Sequence, residues 1–319
     1  MDVPPHPTRK SAGARSTRYM RCAVAIGLSS ILVGCATSPR ADQANADRHW
    51  QRAAAILAMK TDADSLAAAG LLSLPSHRDE SLSLIARALE AAPERPDLVW
   101  LQAQVCGESP SCNPEPIERH LRELDPSNGA GWMGALARAD SSKEDEARDA
   151  ALAAIGQSDR VDIYWTALGA RLGRATARTK TLSPWQAEVT IIGILAAQVI
   201  PAYAPVSNAC KGEHLRHPEI IEVCRGVARA FLRGDAYITE MIGVAIAKRV
   251  WPENSPAWSA AAEARRVYDY RSRYSAQFEL WDAMHAEEHL KLLSQNRREQ
   301  DVLLAQLVAA GKNPNPPPE

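Results

Sequence analysis

The 319-residue sequence has no strong excess of charge of either sign, and it contains only two phenylalanines. Its 37 basic and 38 acidic side chains give a net charge of −1, whereas nucleic-acid-binding domains usually carry a strongly basic face. The apolar fraction of 46% is too high for an intrinsically disordered chain. The composition therefore predicts a folded protein of one or two domains that does not bind nucleic acid.

Several catalytic motifs are also missing. The chain has no G-x-S-x-G nucleophile elbow and no phosphate-binding P-loop. After the first 35 residues, no apolar run approaches the roughly 18 residues expected of a membrane-spanning helix. We therefore predict no cofactor, and any attachment to a membrane has to come from the N-terminus.

The N-terminus carries the most informative pattern. Five basic side chains between Arg9 and Arg21 precede an apolar stretch over 22–33, which has the length of a signal-peptide core and is too short to span a bilayer. The stretch ends in Leu-Val-Gly-Cys over 32–35, which resembles the lipobox of bacterial lipoproteins. This resemblance implies that residues 1–34 are a signal peptide and that Cys35 becomes an acylated, palmitate-bearing N-terminus.

The same resemblance implies a location. Ala36 follows Cys35 where an Asp commonly directs retention in the inner membrane, so we expect a lipid anchor in the bacterial outer membrane with the protein facing the periplasm. Acyl chains bind membranes through about 0.8 kcal/mol per buried methylene. The small, polar residues that follow, over 35–46, are expected to form a tether below a domain spanning 47–310.

The cysteines outside this leader fall into two close pairs. They are Cys106 with Cys112, and Cys210 with Cys224. An even number of thiols in an oxidising compartment predicts disulfides, and local pairing is the simplest of three connectivities. The chain-entropy relation assigns about 2.4 kcal/mol to the shorter loop and about 3 kcal/mol to the longer.

The rest of the chain predicts an all-α fold. Apolar residues recur every three or four positions, and alternating β-branched runs are almost absent. The Pro-rich tail over 311–319 cannot continue a helix, and we expect it to be disordered. The predicted helices are 47–60, 62–73, 79–92, 96–106, 114–124, 128–139, 143–156, 159–173, 183–200, 217–233 and 236–250, followed by a long C-terminal helical stretch over 256–309.

A tryptophan spacing indicates a repeat within this helical region. Trp100, Trp132 and Trp165 are 32 and 33 residues apart, and the third begins the sequence Trp-Thr-Ala-Leu-Gly over 165–169. That sequence resembles the W-x2-L-G opening of a tetratricopeptide repeat. Over about 79–175 the resemblance implies helix pairs stacked as a solenoid. The alternative is a helical bundle whose tryptophan spacing is coincidental.

Two groups of histidines have residue types that could bind a metal ion. His285, Glu288 and His289 match the H-x-x-E-H pattern of inverted zinc peptidases, but only 30 residues follow in which to find the third ligand that such enzymes need. His214 and His217 lie between the second pair of cysteines without zinc-finger spacing. We therefore predict no metal site, with a zinc hydrolase as the least favoured interpretation.

The stretch 268–274, Tyr-Asp-Tyr-Arg-Ser-Arg-Tyr, could form an adhesive surface, because interface centres favour Tyr and Arg. The alternative is a helix whose tyrosine rings pack while the arginine heads reach solvent. The function expected from all of these features is a non-catalytic, lipid-anchored helical scaffold for an unidentified envelope or periplasmic protein. An immunity or inhibitor lipoprotein acting on a toxin or cell-wall hydrolase is the alternative.

Overall fold

The computed structural model describes residues 39–275 and 283–317, and within these ranges the protein is all-α, as predicted. The described residues contain no strand, only one isolated parallel bridge between Asn128 and Arg160. The α-helices of the described ranges are α1 Pro39–Ala58, α2 Ala63–Ser73, α3 Arg78–Ala91, α4 Pro96–Gly107, α5 Glu115–Leu124, α6 Met133–Ser142, α7 Asp145–Gln157, α8 Trp165–Ala177, α9 Pro184–Ile194, α10 Ala204–Ala209, α11 Pro218–Leu232, α12 Tyr237–Val250, α13 Pro256–Ser275, α14 Ala283–Gln295 and α15 Glu299–Ala309.

Local sequence signals explain where several helices begin. The Asp62 carboxylate accepts a hydrogen bond from the Ser65 backbone N–H and so caps α2. Ser183 and Gln186 form a reciprocal capping box at the start of α9, which satisfies two backbone N–H groups. Proline occupies the first turn of α4, α9 and α11, where a missing N–H costs nothing.

Helix packing follows two series, and α8 belongs to neither of them. In the first series, α1 packs on α2, α2 on α3, α3 on α4, and α4 on α5. In the second series, α6 packs on α7, α7 on α11, α11 on α12, α12 on α13, and α13 on α15. Helix α8 instead packs against α2, α9 and α14. It therefore brings segments more than 100 residues apart in the chain to one place.

The close approach of α7 and α11 depends on two glycines. A Cβ atom at Gly226 in α11 would lie 2.3 Å from the carbonyl oxygen of Gly156 in α7. That distance is well inside van der Waals contact, so only residues without a side chain let the two helices approach this closely.

Several helix bounds differ from those predicted. The predicted helix 159–173 begins only at Trp165, because residues 159–164 run non-helically beside Asn128 and are held there by hydrogen bonds. The predicted helix 183–200 ends its α-helical part at Ile194 and continues as a π turn over Leu195–Val199. Helix α10 was not predicted.

The two ends of the domain also differ from expectation. Helix α1 begins at Pro39, so residues 39–46, expected to be part of the tether, are helical. The stretch 256–309 is not a single helix: α14 and α15 are separated by residues 296–298, and residues 276–282 lie outside the described ranges. The tail over 311–317 has no regular secondary structure and contacts α13 through hydrogen bonds that its composition did not predict.

The three tryptophans of the proposed repeat lie at different positions relative to their helices. Trp100 is buried within α4, Trp132 ends a 3-10 turn before α6, and Trp165 is the first residue of α8. Their spacing thus does not place them at equivalent points, and the tetratricopeptide assignment remains an interpretation of the sequence.

Candidate ligand-binding cleft at helix α8

Helix α8 begins on a buried carboxylate from another part of the chain. Asp235, in the loop between α11 and α12, is 2% exposed. Its two carboxylate oxygens accept hydrogen bonds from the backbone N–H groups of Ile163, at 2.8 Å, and Trp165, at 2.7 Å. Burial raises the pKa of Asp235 to about 8, and the nearby charge of Asp162 acts in the same direction. Asp235 therefore caps α8 from the opposite series of helices.

Asp162 is the second buried carboxylate at this point, at 4% exposure. Arg297, just after α14, donates from Nη1 to both of its oxygens at 2.6 Å, and Arg160 donates from Nε at 2.7 Å. Arg160 also donates to both oxygens of Asp125 at 2.8 Å. Since a buried charge without a partner is strongly destabilising, these arginines stabilise Asp162 in the interior and Asp125 beside it.

Tyr164 precedes α8 with a φ of 57°, in the left-handed region that is uncommon for a residue with a side chain. Its hydroxyl donates to Asp125 at 2.8 Å and accepts from the Asn128 side-chain amide at 3.1 Å. Burial raises the pKa of Tyr164, so the hydroxyl keeps its proton. We call Asp125, Asn128, Arg160, Asp162, Tyr164, Asp235 and Arg297 the polar junction.

The next turns of α8 present arginines. Arg171, Arg174 and Arg178 are exposed and lie at i, i+3 and i+7, which places them on one face of the helix. Among the described residues, no carboxylate forms an ion pair with any of the three. Arg174 donates from Nε to the carbonyl oxygen of Ala170 in its own helix. We call these three residues the arginine face.

The arginine face lines a cleft of about 620 Å³ between α8, the end of α14 and the start of α2. Its other wall includes Ser294, Gln295 and Asn296, and its floor reaches the polar junction at Asp162 and Asp235. A second cleft of about 590 Å³ shares Asp64 and Arg178 with the first. Together they form a groove along α8.

The carboxylates that line this cleft already have partners. Asp64 accepts from Arg95 at 2.9 Å, and Asp162 and Asp235 are bound as described above. At the far end of the groove, partial burial alone would raise the pKa of Asp62, but the hydrogen bonds from Ser65 and the charge of Arg178 lower it below its usual value. Arg171 and Arg174 are therefore the cations of the arginine face that are left for a ligand.

The cysteine pairs occur as disulfides in the structure. Cys106 at the end of α4 bonds to Cys112, and Cys210 after α10 bonds to Cys224 in α11. The first closes the turn between α4 and α5, and the second ties the 3-10 turn over Gly212–Arg216 to α11. Neither bond lies at the cleft.

Cys35, the predicted lipidation site, and the signal peptide lie outside the described residues. No described helix has the length and apolar character needed to cross a bilayer.

The histidines of the H-x-x-E-H pattern lie in different surroundings on α14. His285 and Glu288 are exposed on α14, whereas the Nδ1 atom of His289 contacts the buried carboxylate of Glu188 in α9. His214 and His217 border a separate small cleft. The Nδ1 atom of His217 lies 3.6 Å from the Oε1 atom of the exposed Glu219. Within the described ranges, no group of three or more His, Cys, Asp and Glu side chains is arranged to hold a metal ion.

A glycine motif at 129–134 also has a packing explanation. Gly-Ala-Gly-Trp-Met-Gly has the G-x-G-x-x-G spacing of dinucleotide-binding loops, but it follows no strand and begins with a 3-10 turn. A Cβ at Gly131 would lie 2.9 Å from the Arg122 side chain, and one at Gly134 would lie 2.0 Å from Glu118. The glycines at 131 and 134 thus make room for the side chains of Arg122 and Glu118.

The polar junction and the arginine face were not identified from the sequence. The helical spacing of the three arginines was a usable signal, whereas nothing in the sequence links Asp235 to residues 163 and 165. No protein-family model, curated protein or solved structure matches this chain.

Proposed function

We propose that this protein is a non-catalytic, lipid-anchored envelope scaffold that binds an acidic segment of another envelope or periplasmic protein along the arginine face of α8. The observation that carries the proposal is that Arg171, Arg174 and Arg178 are exposed on one wall of a groove and that none of them forms an ion pair with a carboxylate of the described residues. Guanidinium groups suit this role because they bind carboxylates with two parallel hydrogen bonds.

A binding role fits the groove better than a catalytic one because its acids serve the fold. Asp64 and Asp162 are paired with arginines, and Asp235 caps α8. His289, the best-placed histidine of the peptidase-like pattern, is committed to Glu188. A general base or metal ligand would have to leave one of these contacts, and each departure would leave a buried group without its partner.

The proposed anchor complements this binding mode. Acylation at Cys35 would hold the protein at the outer membrane, facing the periplasm, and would raise its effective concentration for partners at that surface. With α1 beginning at Pro39, only three residues would separate the lipid-bearing cysteine from the first helix. We expect labelled palmitate to enter the natural chain and not the Cys35→Ser variant; equal labelling of both would refute the anchor.

The partner is tested by photo-crosslinking in intact cells. A crosslinking amino acid replaces Gln295, which is exposed and lines the cleft. We expect one dominant adduct that disappears in the Arg171→Glu, Arg174→Glu double variant. The matched control is Arg119→Glu with Arg229→Glu, which reverses two exposed arginines on α5 and α11 outside the cleft.

The outcomes separate the proposals. An adduct lost only on reversal of the arginine face supports recognition of an acidic segment. An adduct that survives that reversal contradicts it. If the captured protein is a toxin or wall hydrolase whose activity falls on binding, the inhibitor interpretation replaces the scaffold.

A further inference from the structure

The C-terminal tail is turned back onto α13 by a specific helix ending. Gly311 follows α15 with a φ of 65°, a conformation that favours glycine. The backbone N–H of Gly311 donates to the Val308 carbonyl at 3.0 Å, and that of Lys312 donates to Leu307 at 2.9 Å. These bonds resemble a helix-terminating Schellman arrangement, which fixes the direction in which the chain leaves. The tail thus leaves α15 in a defined direction.

Three side chains of α13 then hold the tail by its main chain. The Tyr270 hydroxyl donates to the carbonyl of Asn313 at 3.1 Å, Arg271 donates from Nε to Pro314 at 3.0 Å, and Arg266 donates from Nη1 to Pro317 at 2.7 Å. The tail therefore runs antiparallel to α13. All three contacts use carbonyl oxygens, which any peptide of similar backbone shape can offer.

The donors on α13 are pre-oriented by neighbouring side chains. Arg266 uses Nε and Nη2 to bind both carboxylate oxygens of Glu263, at 2.7 and 2.8 Å, which leaves Nη1 for the tail. Arg271 also reaches the Gln300 side-chain oxygen of α15 at 3.5 Å. Held side chains lose less conformational entropy on binding, so this face is prepared for its ligand.

A proline-rich sequence suits a helix face that contacts it only through hydrogen-bond donors. Proline has no backbone N–H and cannot extend a helix, so the carbonyls around it stay free to accept bonds. Pro314 and Pro316 are partly buried, whereas the intervening Asn315 is exposed. Alternate residues of the tail are therefore partly buried, and both of these residues are prolines.

We propose that Arg266, Tyr270 and Arg271 form a binding site for proline-rich segments, which the chain's own tail occupies, and that a partner's proline-rich segment binds by displacing the tail. The contact is suited to exchange, because the hydrogen bonds from α13 to the described part of the tail lie at the surface and their residues remain partly or fully exposed. A tethered tail competes at an effective concentration set by its short link to α15.

The probe is a fluorescent peptide with the sequence of residues 311–319, Gly-Lys-Asn-Pro-Asn-Pro-Pro-Pro-Glu. It is titrated against the intact chain and against a chain ending at Gly311. We expect binding to the shortened chain to be at least about tenfold tighter, because the tethered competitor is gone. A peptide with alanine at every proline should bind at least about tenfold more weakly than the probe.

Side-chain variants in the shortened chain test the site itself. Arg266→Ala with Arg271→Ala should lower affinity by about tenfold or more, the loss expected when two charge-assisted hydrogen bonds go. Arg273→Ala is the matched control, since Arg273 is exposed on the same helix and makes no hydrogen bond to the tail over the described residues 311–317. If the shortened chain does not fold, the intact chain with Pro314, Pro316 and Pro317 changed to alanine provides the freed site.

Three results would overturn the proposal. The first is equal affinity of the probe peptide for the intact and freed chains. The second is an affinity that does not change when Arg266 and Arg271 are replaced, and the third is no binding at all. A concentration-dependent dimer of the intact chain that disappears on removal of the tail would assign the surface to the tail of a second copy instead. These readouts do not involve the arginine face of α8, so failure here leaves the proposed function standing.

Discussion

The polar junction and the arginine face belong to the same helix and use charge in opposite ways. At the start of α8, Asp162 and Asp235 are buried, and each oxygen has a donor within 2.8 Å. Two turns further on, Arg171 and Arg174 are exposed and have no carboxylate partner among the described residues. Burial makes the first set structural, since Asp162 is paired with arginines and the Asp235 carboxyl accepts from two backbone N–H groups. Exposure without pairing leaves the second set free for a ligand.

The largest effect on stability is expected for the Asp235→Ala variant. The change removes the acceptor for the backbone N–H groups of Ile163 and Trp165 and leaves both donors buried without a partner. We expect the free energy of unfolding to fall by about 3 kcal/mol, measured by urea denaturation. Asp159→Ala is the control, because Asp159 is exposed nearby and should change stability by less than about 0.5 kcal/mol. Similar small losses for both variants would show that the junction does not hold α8.

Asn128→Ala should have the next largest effect. Its side chain donates to the Asp162 carbonyl and the Tyr164 hydroxyl, and accepts from the N–H groups of Ala130 and Asp162. Because these contacts keep residues 159–164 out of helical conformation, their loss should cost about 2 kcal/mol in urea unfolding. The exposed Asn208→Ala provides the matched control. A cost no larger than that of the control would contradict the role given to Asn128.

A pH measurement addresses the charge state of the junction. Burial and the charge of Asp162 raise the pKa of Asp235 to about 8, against the opposing effects of Arg297 and the N–H groups of Ile163 and Trp165. In the unfolded chain this carboxyl has its ordinary pKa near 3.8. The folded state therefore binds the proton more tightly, and this contribution to stability is lost as pH rises from about 4 to about 8.

We expect the Asp235→Asn variant to lose this part of the pH dependence. The difference in unfolding free energy between about pH 5 and about pH 8 should be smaller in the variant than in the natural chain. The comparison is made within each protein, so a lower overall stability of the variant does not affect it. An unchanged pH profile would mean that Asp235 is ionised throughout this range.

The sequence predicted the parts of the molecule that depend on local pattern. Helical periodicity identified the all-α fold, and the short separation of the paired cysteines indicated their pairing. The polar junction was not predictable in this way, because Asp235 caps a helix that begins 70 residues earlier in the chain. The late start of α8 has the same cause, since the contacts of Asn128 with residues 162 and 164 override local helix propensity.

The cleft shows the same division between local and long-range information. The i, i+3, i+7 spacing of Arg171, Arg174 and Arg178 defines a basic face from the sequence alone. Its walls cannot be inferred so simply, because they come from α2 and α14, on either side of α8 and far from it in the chain. A basic stripe on an open helix and one that lines a groove look identical in sequence, and only packing distinguishes them.

The smallest effect on stability is expected for variants of the arginine face. Arg171→Ala with Arg174→Ala removes two exposed cations that make no ion pair in the described structure, so urea unfolding should change by less than about 0.5 kcal/mol. If an acidic segment binds here, the same variant should nevertheless lose capture of the partner in the Gln295 crosslinking experiment. A loss of stability comparable to that of Asp235→Ala would mean that the arginine face supports the fold. A stable variant that still captures its partner would place the binding surface elsewhere.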